Sequence, residues 1–548
     1  MDLFQHIVET VNNLVWNRPS FMPLMVAALL SYGIFITLKL GFVQLRRFAH
    51  GVKVVSGFYD NPEDTGDVNH FQALSTALSA TVGIGNIAGV AIAIHYGGPG
   101  ALFWMWITAF LGMATKYSEC TLSVMYRDKN PDGSVSGGPM YYISKGLGNN
   151  WMWLAVAFAC LAVICSFLTG NAVQANTMAD TMESAFFIPK WITGLFSAGV
   201  VGLVILGGIK RIGRVTARLT PLMALIYVLG ALSILLVNYQ HVIPSLIFIV
   251  KSAFSPEAGA FGIITGTFMS TMVWGVKRGL FSNEAGQGSA PIAHGAAKTE
   301  EPVREGVVAL LEPFIDTLLI CTMTGLVIVI TGVWNVKHDA KINLNSLETE
   351  ITFSNPTAQT LNVENGIITD GQLKKSDVVI DSLYSNYEET KLLNGTIAKK
   401  GDQFVATTST GEKITSVYGE VVENGAPLTA MAFESGLSPL FPGGQYIVTL
   451  CVFLFPISTS ISWSYYGDRA IQFLLGDRSI IYYKVVYIVM HFIGAILTLA
   501  TVWSIGDIAL GLMTFPNLIA LFALSGVVAS ASKKYFDKVK AESKQVTD

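Results

Sequence analysis

About eleven apolar runs recur along this 548-residue chain: 20–42, 71–96, 99–125, 151–184, 191–209, 215–238, 261–298, 304–333, 440–474, 480–502 and 506–531. Each is near or above the roughly 20 residues that a helix needs to cross a bilayer. Hydrocarbon offers no water to an open backbone, so such runs must close their own hydrogen bonds as helices. The expected fold is an all-α polytopic membrane protein. Several runs exceed the minimum, which implies tilt or extension past the bilayer. Charged residues make up 13% of the chain, about half the ~25% of soluble domains. The net charge of -3 excludes a basic nucleic-acid binder. The five cysteines show no CxxC spacing and read as small buried hydrophobes, not zinc or disulfide pairs.

Lysine and arginine gather in every second connection. Lys39, Arg46, Arg47 and Lys53 follow the first run, Arg127, Lys129 and Lys145 the third, and Lys210, Arg211, Arg214 and Arg218 the fifth. Lys298 and Arg304 follow the seventh and Arg469 and Arg478 the ninth, and Lys533, Lys534, Lys538, Lys540 and Lys544 close the chain. The connections 97–98, 185–190 and 239–260 carry few basic residues, Lys190 and Lys251 being the exceptions. Cytoplasmic loops are the basic ones. The N-terminus is therefore expected outside the cell membrane and the C-terminus in the cytoplasm. No cleaved leader is expected before Trp16.

The organisation that follows is helices one to eight over 1–334, an insertion over 335–436, helices nine to eleven over 437–532, and a cytoplasmic tail over 533–548. The insertion holds 14 acidic residues, 8 lysines and no arginine. Alternating stretches such as Thr415–Val422, and Asn-Gly pairs at 365–366, 394–395 and 424–425, read as strands and turns of a small outer β-rich unit, with a disordered loop as the alternative.

Two runs are interrupted. Ser79-Ala-Thr-Val-Gly-Ile-Gly-Asn86 breaks the second, and a polar, Gly-rich stretch, Trp274 to Gly288, breaks the seventh between an apolar outer part, 261–273, and an inner part starting near Pro291. Open backbone at membrane depth is tolerated where it is buried in protein or lines a cavity. The second stretch lacks the spacing of a phosphate loop. The breaks lie five spans apart and so run in opposite directions, as in inverted repeats whose discontinuous helices meet at a central site. Half-helix N-termini suit a carboxylate, and unwound carbonyls and hydroxyls suit a hard cation.

The run Gly97-Gly-Pro-Gly-Ala-Leu-Phe-Trp-Met-Trp-Ile-Thr-Ala-Phe-Leu-Gly112 resembles the signature of the alanine or glycine:cation symporter family. The stretches 79–91, 116–119 and 278–295 strengthen the resemblance. It covers the chain except 335–436, which is longer than expected for that family. It implies the LeuT-type five-plus-five fold of the amino acid-polyamine-organocation superfamily, with one extra N-terminal helix. It also implies uptake of alanine or glycine with sodium, by alternating access and without a cofactor.

The same resemblance assigns roles. Gly83, Ile84, Gly85 and Asn86 would offer amides to the substrate carboxylate, with Thr81 and Asn86 facing the substrate or an ion beside it. Ser79 and Val82 would give carbonyls to sodium, and Ser458 and Thr459 hydroxyls. Leu280, Phe281, Ser282 and Asn283 would sit in the second break, Phe281 shaping the side-chain pocket. Thr459 and Trp463, at i and i+4 on one helical face, would edge that pocket. The alternative is that the hydroxyls bond their own i−4 carbonyls and Trp463 only packs. Gln174 is either a substrate contact or, with Asn171, a helix–helix bond.

Among charged residues, Lys116 and Glu119 are expected to pair, and Glu284, Glu312 and Asp316 to pair with Lys277 or Arg278, as structural or gating contacts. His70, His95, His294 and His491 are scattered, and no catalytic cluster stands out, so an enzyme is not expected. A passive or proton-coupled permease and a receptor sensing through the outer unit are the rival readings. A pore would want a continuous polar lining, whereas polarity here concentrates at two breaks. The oligomeric state stays open.

Overall fold

The structure, a computed structural model, describes residues 10–11, 14–16, 18–19, 22–131, 133–254, 268–344, 351–354, 358–375, 378–380, 382–386, 391–400, 403–497 and 499–545. A helix falls on each of the eleven apolar runs. Among the described residues, six helices are long and apolar enough to cross a membrane, or seven if the bent pair His70–Thr81 and Gly85–Gly97 is one span. The helices Leu24–Lys39 and Lys190–Ile205 are apolar but shorter. The outer part of the seventh run, over 261–267, lies outside the described residues.

An additional helix, Tyr239–Phe254, occupies a connection with no predicted element. It explains part of the 97–112 motif: a Cβ on Gly100 would stand 2.4 Å from the backbone nitrogen of Ala253. Only a glycine lets the two backbones meet there.

The helix His70–Thr81 begins with a capping box, in which the Asn69 side chain accepts from the Gln72 amide and Gln72 reaches back to Asn69. Such a cap contributes about 1 kcal/mol. Nearby, the Arg127 guanidinium donates to the carbonyls of Thr65, Gly295, Ala297 and Thr299 at 2.6–3.1 Å. One side chain thus serves four carbonyl acceptors and ties the end of the third run to the stretch before the second run and to the segment after the second break.

The insertion folds as antiparallel sheets with their own apolar core, including Leu361, Val363, Ile397, Ala406 and Val417. Ser416–Val421 pairs along its length with His338–Asn343. Asn365 and Gly366, with φ of 48° and 75°, make the turn between Thr360–Glu364 and Ile367–Ile368, a two-residue hairpin turn needing left-handed backbone. The third Asn-Gly pair does something else. Asn424 caps the helix Gly425–Leu437, its Oδ1 accepting from the Gly425 amide at 2.7 Å. Leu428, Ala432, Phe433 and Leu437 of this helix are buried in the core of the helical body. The expected boundary at residue 436 therefore sits inside a helix that packs with the spans.

Candidate functional site

The second run breaks where the sequence places the break. The helix His70–Thr81 ends at Val82, whose ψ of 88° leaves the helical region, and the chain resumes as Gly85–Gly97 at an angle of 55°. The reason for the two glycines differs from simple unwinding, since neither adopts a positive φ. A Cβ on Gly83 would lie 2.8 Å from Thr459 Oγ1, and one on Gly85 would lie 3.3 Å from Phe281 Cδ1. The glycines let other walls approach the backbone.

Three π-helical turns converge here: Gly85–Gly89, Leu168–Ala172 and Phe314–Cys321. A π turn leaves carbonyls without their usual partners, and such turns often accompany functional sites. Hydroxyls from two other helices meet this need. Thr324 donates to the Asn86 carbonyl at 2.9 Å and Thr429, on the Gly425–Leu437 helix, to the Ile87 carbonyl at 3.0 Å.

A small cavity of about 20 Å³ lies against the break, room for on the order of one water. Thr81, Gly83, Ile84, Gly85, Gln174, Phe281, Thr459 and Trp463 line it, joined by Ala80, Thr169, Glu284 and Leu510. Gln174 Nε2 donates to the Thr169 carbonyl at 3.2 Å, while Gln174 Oε1 and Thr169 Oγ1 are buried without a hydrogen-bond partner. Buried orphans cost about 1–3 kcal/mol each, and a polar solute in this cavity would relieve them. Asn171 behaves differently. It donates to the Tyr487 carbonyl and bonds His491 Nδ1, which makes it the helix–helix contact. Trp463 is 1% exposed and lies against Gly170, where a Cβ would stand 2.3 Å from its Cγ.

Four of the predicted substrate residues do not line the cavity. Asn86 turns its Oδ1 back to the Gly83 amide at 2.8 Å and gives its Nδ2 to Asp316 Oδ1 at 2.6 Å. Ser282 bonds Asp316 Oδ2 at 2.6 Å. Asn283 donates to Thr317 at 3.2 Å and accepts from the Ala285 amide at 3.1 Å. Leu280 is buried, and its carbonyl accepts from Gln287. Nor do Leu280, Phe281, Ser282 and Asn283 sit in the second break, because the helix Phe268–Asn283 runs through them. The break lies at Glu284–Ser289, with positive φ at Glu284, Gly286 and Gly288.

The predicted sodium set is largely brought together. The Ser79 and Ser458 hydroxyls are 2.5 Å apart, Ser79 Oγ also reaches the Ser458 carbonyl at 2.8 Å, and Thr459 Oγ1 donates to the Ser79 carbonyl at 3.1 Å. Neither Ser458 nor Thr459 bonds its own i−4 carbonyl; Thr81 does, at 3.3 Å. Val82 follows at the helix end, its amide on the Leu78 carbonyl.

The charged groups pair otherwise than expected. Lys116 Nζ meets Glu312 Oε1 at 2.9 Å, both fully buried. Glu119 instead accepts the Gly286 and Gly288 amides at 3.3 and 3.1 Å and Asn517 Nδ2 at 2.5 Å. A carboxylate thereby stands in for the missing helical acceptors of the second break. Glu284 binds Ser289. Asp316 takes neutral donors from Asn86, Ser282 and Thr317. Lys277 and Arg278 lie over the Trp274 ring. The histidines are not all scattered: His70 and His294 share Glu305, and His294 Nε2 stands 3.6 Å from Glu312. Nothing in the spacing of these residues announces the shared carboxylate.

Apolar helices surrounding a buried polar pocket at a broken helix define a multi-pass membrane transporter. Comparison with known sequences gives the family. A profile described as the sodium:alanine symporter family matches residues 1–363 and 400–548, and the chain belongs to that family. A sodium/alanine symporter, AgcS, of Methanococcus maripaludis is 39% identical over 543 residues, covering 99% of each chain. An uncharacterised transporter of Haemophilus influenzae is 37% identical, covering 98% of this chain and 97% of its own. A probable sodium/glutamine symporter, GlnT, of Bacillus subtilis is 31% identical, covering 98% and 92%. These relatives are named as transporters and symporters, not enzymes. The profile leaves only 364–399 unmatched, and the archaeal relative aligns across nearly both full lengths, so the long insertion is not peculiar to this chain.

Proposed function

We propose that the protein takes up small neutral amino acids, alanine or glycine, by sodium-coupled symport with alternating access. The observation that carries this reading is the junction at Ser79–Gly85. There one broken helix meets hydroxyls that suit sodium on one side and a small cavity with two orphaned polar atoms on the other. Sodium is a co-substrate in this reading. The carbonyls of Ser79 and Val82 with the hydroxyls of Ser458 and Thr459 form an all-oxygen set of the kind hard cations take. The substrate lies between Gly83–Gly85, Gln174, Phe281, Thr459 and Trp463. Its carboxylate takes amides after Val82, once Asn86 Oδ1 leaves the Gly83 amide.

Coupling follows from shared backbone. Sodium at Ser79 and Thr459 orders the break whose next residues bind the substrate, so each ligand raises the affinity of the other by the same factor. Binding an amino acid requires the walls at Phe281, Thr459 and Trp463 to part, and how far they part sets the side-chain size accepted. The proposed layout is a LeuT-type five-plus-five repeat with an extra N-terminal helix, eleven spans in all. The sheet-rich insertion lies outside and the C-terminus in the cytoplasm, as the basic connections support. The test is uptake of radiolabelled alanine by proteoliposomes with and without an inward sodium gradient.

A further inference from the structure

At the end of the bundle where basic connections gather, the helices Leu24–Lys39 and Leu499–Gln545 and the short helix Val43–Arg46 enclose an open cavity of about 360 Å³. Lys39, Arg46, Arg47 and Lys533 line it, with Asp537 as the acid on its wall. Four cations and one carboxylate leave a charge of 4 − 1 = +3. Three of the four cations rest on neutral groups. Lys39 Nζ donates to Ser525 Oγ at 2.8 Å, Arg46 to the Gly41 carbonyl at 3.3 Å, and Arg47 lies 3.7 Å over the Phe536 ring. Partial burial and the adjoining Arg46 lower the Arg47 pKa from its ordinary value. This field wants an anion.

A second feature says which anion. Along the same two helices, on the bilayer side of Lys39 and Ser525, Phe35, Leu38 and Phe522 are 37%, 61% and 41% exposed, and the Phe35 and Phe522 rings lie 5.5 Å apart. Phe42 and Leu45, between the basic residues, are 43% and 66% exposed. A basic pocket continuous with an exposed apolar track matches a charged head joined to acyl chains, and not a free soluble anion. Basic pockets between membrane helices on the cytoplasmic side hold anionic lipid headgroups.

We infer that this cavity binds the phosphate headgroup of an anionic phospholipid, whose acyl chain runs along Phe35, Leu38 and Phe522. The lipid would join the helices Leu24–Lys39 and Leu499–Gln545. It sits apart from the Ser79–Gly85 junction and is independent of the transport reading.

The test uses the purified full chain in detergent, with dioleoylphosphatidylglycerol, dioleoylphosphatidylcholine or potassium phosphate added. Native mass spectrometry counts bound lipid and thermal unfolding gives the midpoint. Phosphatidylglycerol is expected to bind and raise the midpoint, while phosphatidylcholine and phosphate do neither. Lys533→Gln, on an exposed position, and Arg46→Gln should each weaken phosphatidylglycerol about fivefold. High potassium chloride should abolish the lipid preference of the unmodified chain, a readout that stands even where a variant fails to fold. Equal binding of the two lipids, reproduction of the effect by phosphate, or undiminished binding by folded variants would overturn the assignment.

Discussion

Ser79 and Ser458 meet hydroxyl to hydroxyl at 2.5 Å across a separation of 379 residues. The contact joins the helix before the break to the Gln445–Leu475 helix at the place where Thr459 also takes the Ser79 carbonyl. Two hydroxyls and a carbonyl meet there, buried away from water, and the proposed ion site rests on them. Ser458→Ala should raise the half-saturating sodium concentration for alanine uptake about tenfold, as loss of one oxygen ligand costs on the order of 1 kcal/mol or somewhat more. Sodium titration of uptake at fixed alanine measures it, and an unchanged curve would remove Ser458 from the ion site.

Gly83→Ala places a Cβ 2.8 Å from Thr459 Oγ1. Thr459 Oγ1 is held by its bond to the Ser79 carbonyl, so making room for the Cβ breaks or strains that bond. Uptake should fall at least about tenfold while the protein still elutes as a folded species on size exclusion. Normal uptake by this variant would mean that the wall at Thr459 is not close during transport.

Trp463 fills the space over Gly170 and edges the cavity. Trp463→Ala should let larger neutral amino acids, glutamine among them, compete with labelled alanine. A competition profile identical to that of the unmodified chain would assign Trp463 to packing alone.

Lys116 and Glu312 form a fully buried ion pair. Removing one partner strands a charge and costs about 3–5 kcal/mol, whereas replacing both is far milder. Lys116→Met should lower the unfolding midpoint sharply, and Lys116→Met with Glu312→Gln should recover most of the loss. Additive destabilisation in the double variant would show that the two side chains do not depend on each other.

Much of this architecture is legible in the chain itself, and the parts that are not share a cause. Apolar runs of membrane length carry their own instruction to be helical, so each bears a helix. The break at Ser79–Asn86 is legible because glycine and polar residues interrupt such a run. The polar stretch Trp274–Gly288 announces the second break too early, because its polarity begins at Lys277 while the helix runs on through Leu280–Asn283. The chain turns only at Glu284, where left-handed backbone is held by Glu119, a residue of the Ala101–Tyr126 helix. Helical period does not report such distant partners. For the same reason one-turn spacing suggests a Lys116–Glu119 pair where Lys116–Glu312 forms, and spacing gives no sign that His70 and His294 share Glu305. Asp316 looks like a salt-bridge member by its charge alone, yet its partners Asn86 and Ser282 are neutral and come from two other helices. The Gly425–Leu437 helix hid in a polar insertion because its apolar run is short.

The central claim is that sodium and a small amino acid share the Ser79–Gly85 junction. It is tested most directly by radiolabelled alanine uptake into proteoliposomes carrying the purified chain, under an inward sodium gradient and under an equal potassium gradient. Sodium-driven accumulation above equilibrium, lost when the sodium gradient is collapsed, is the predicted result. Uptake of the same rate and extent in both salts would contradict it.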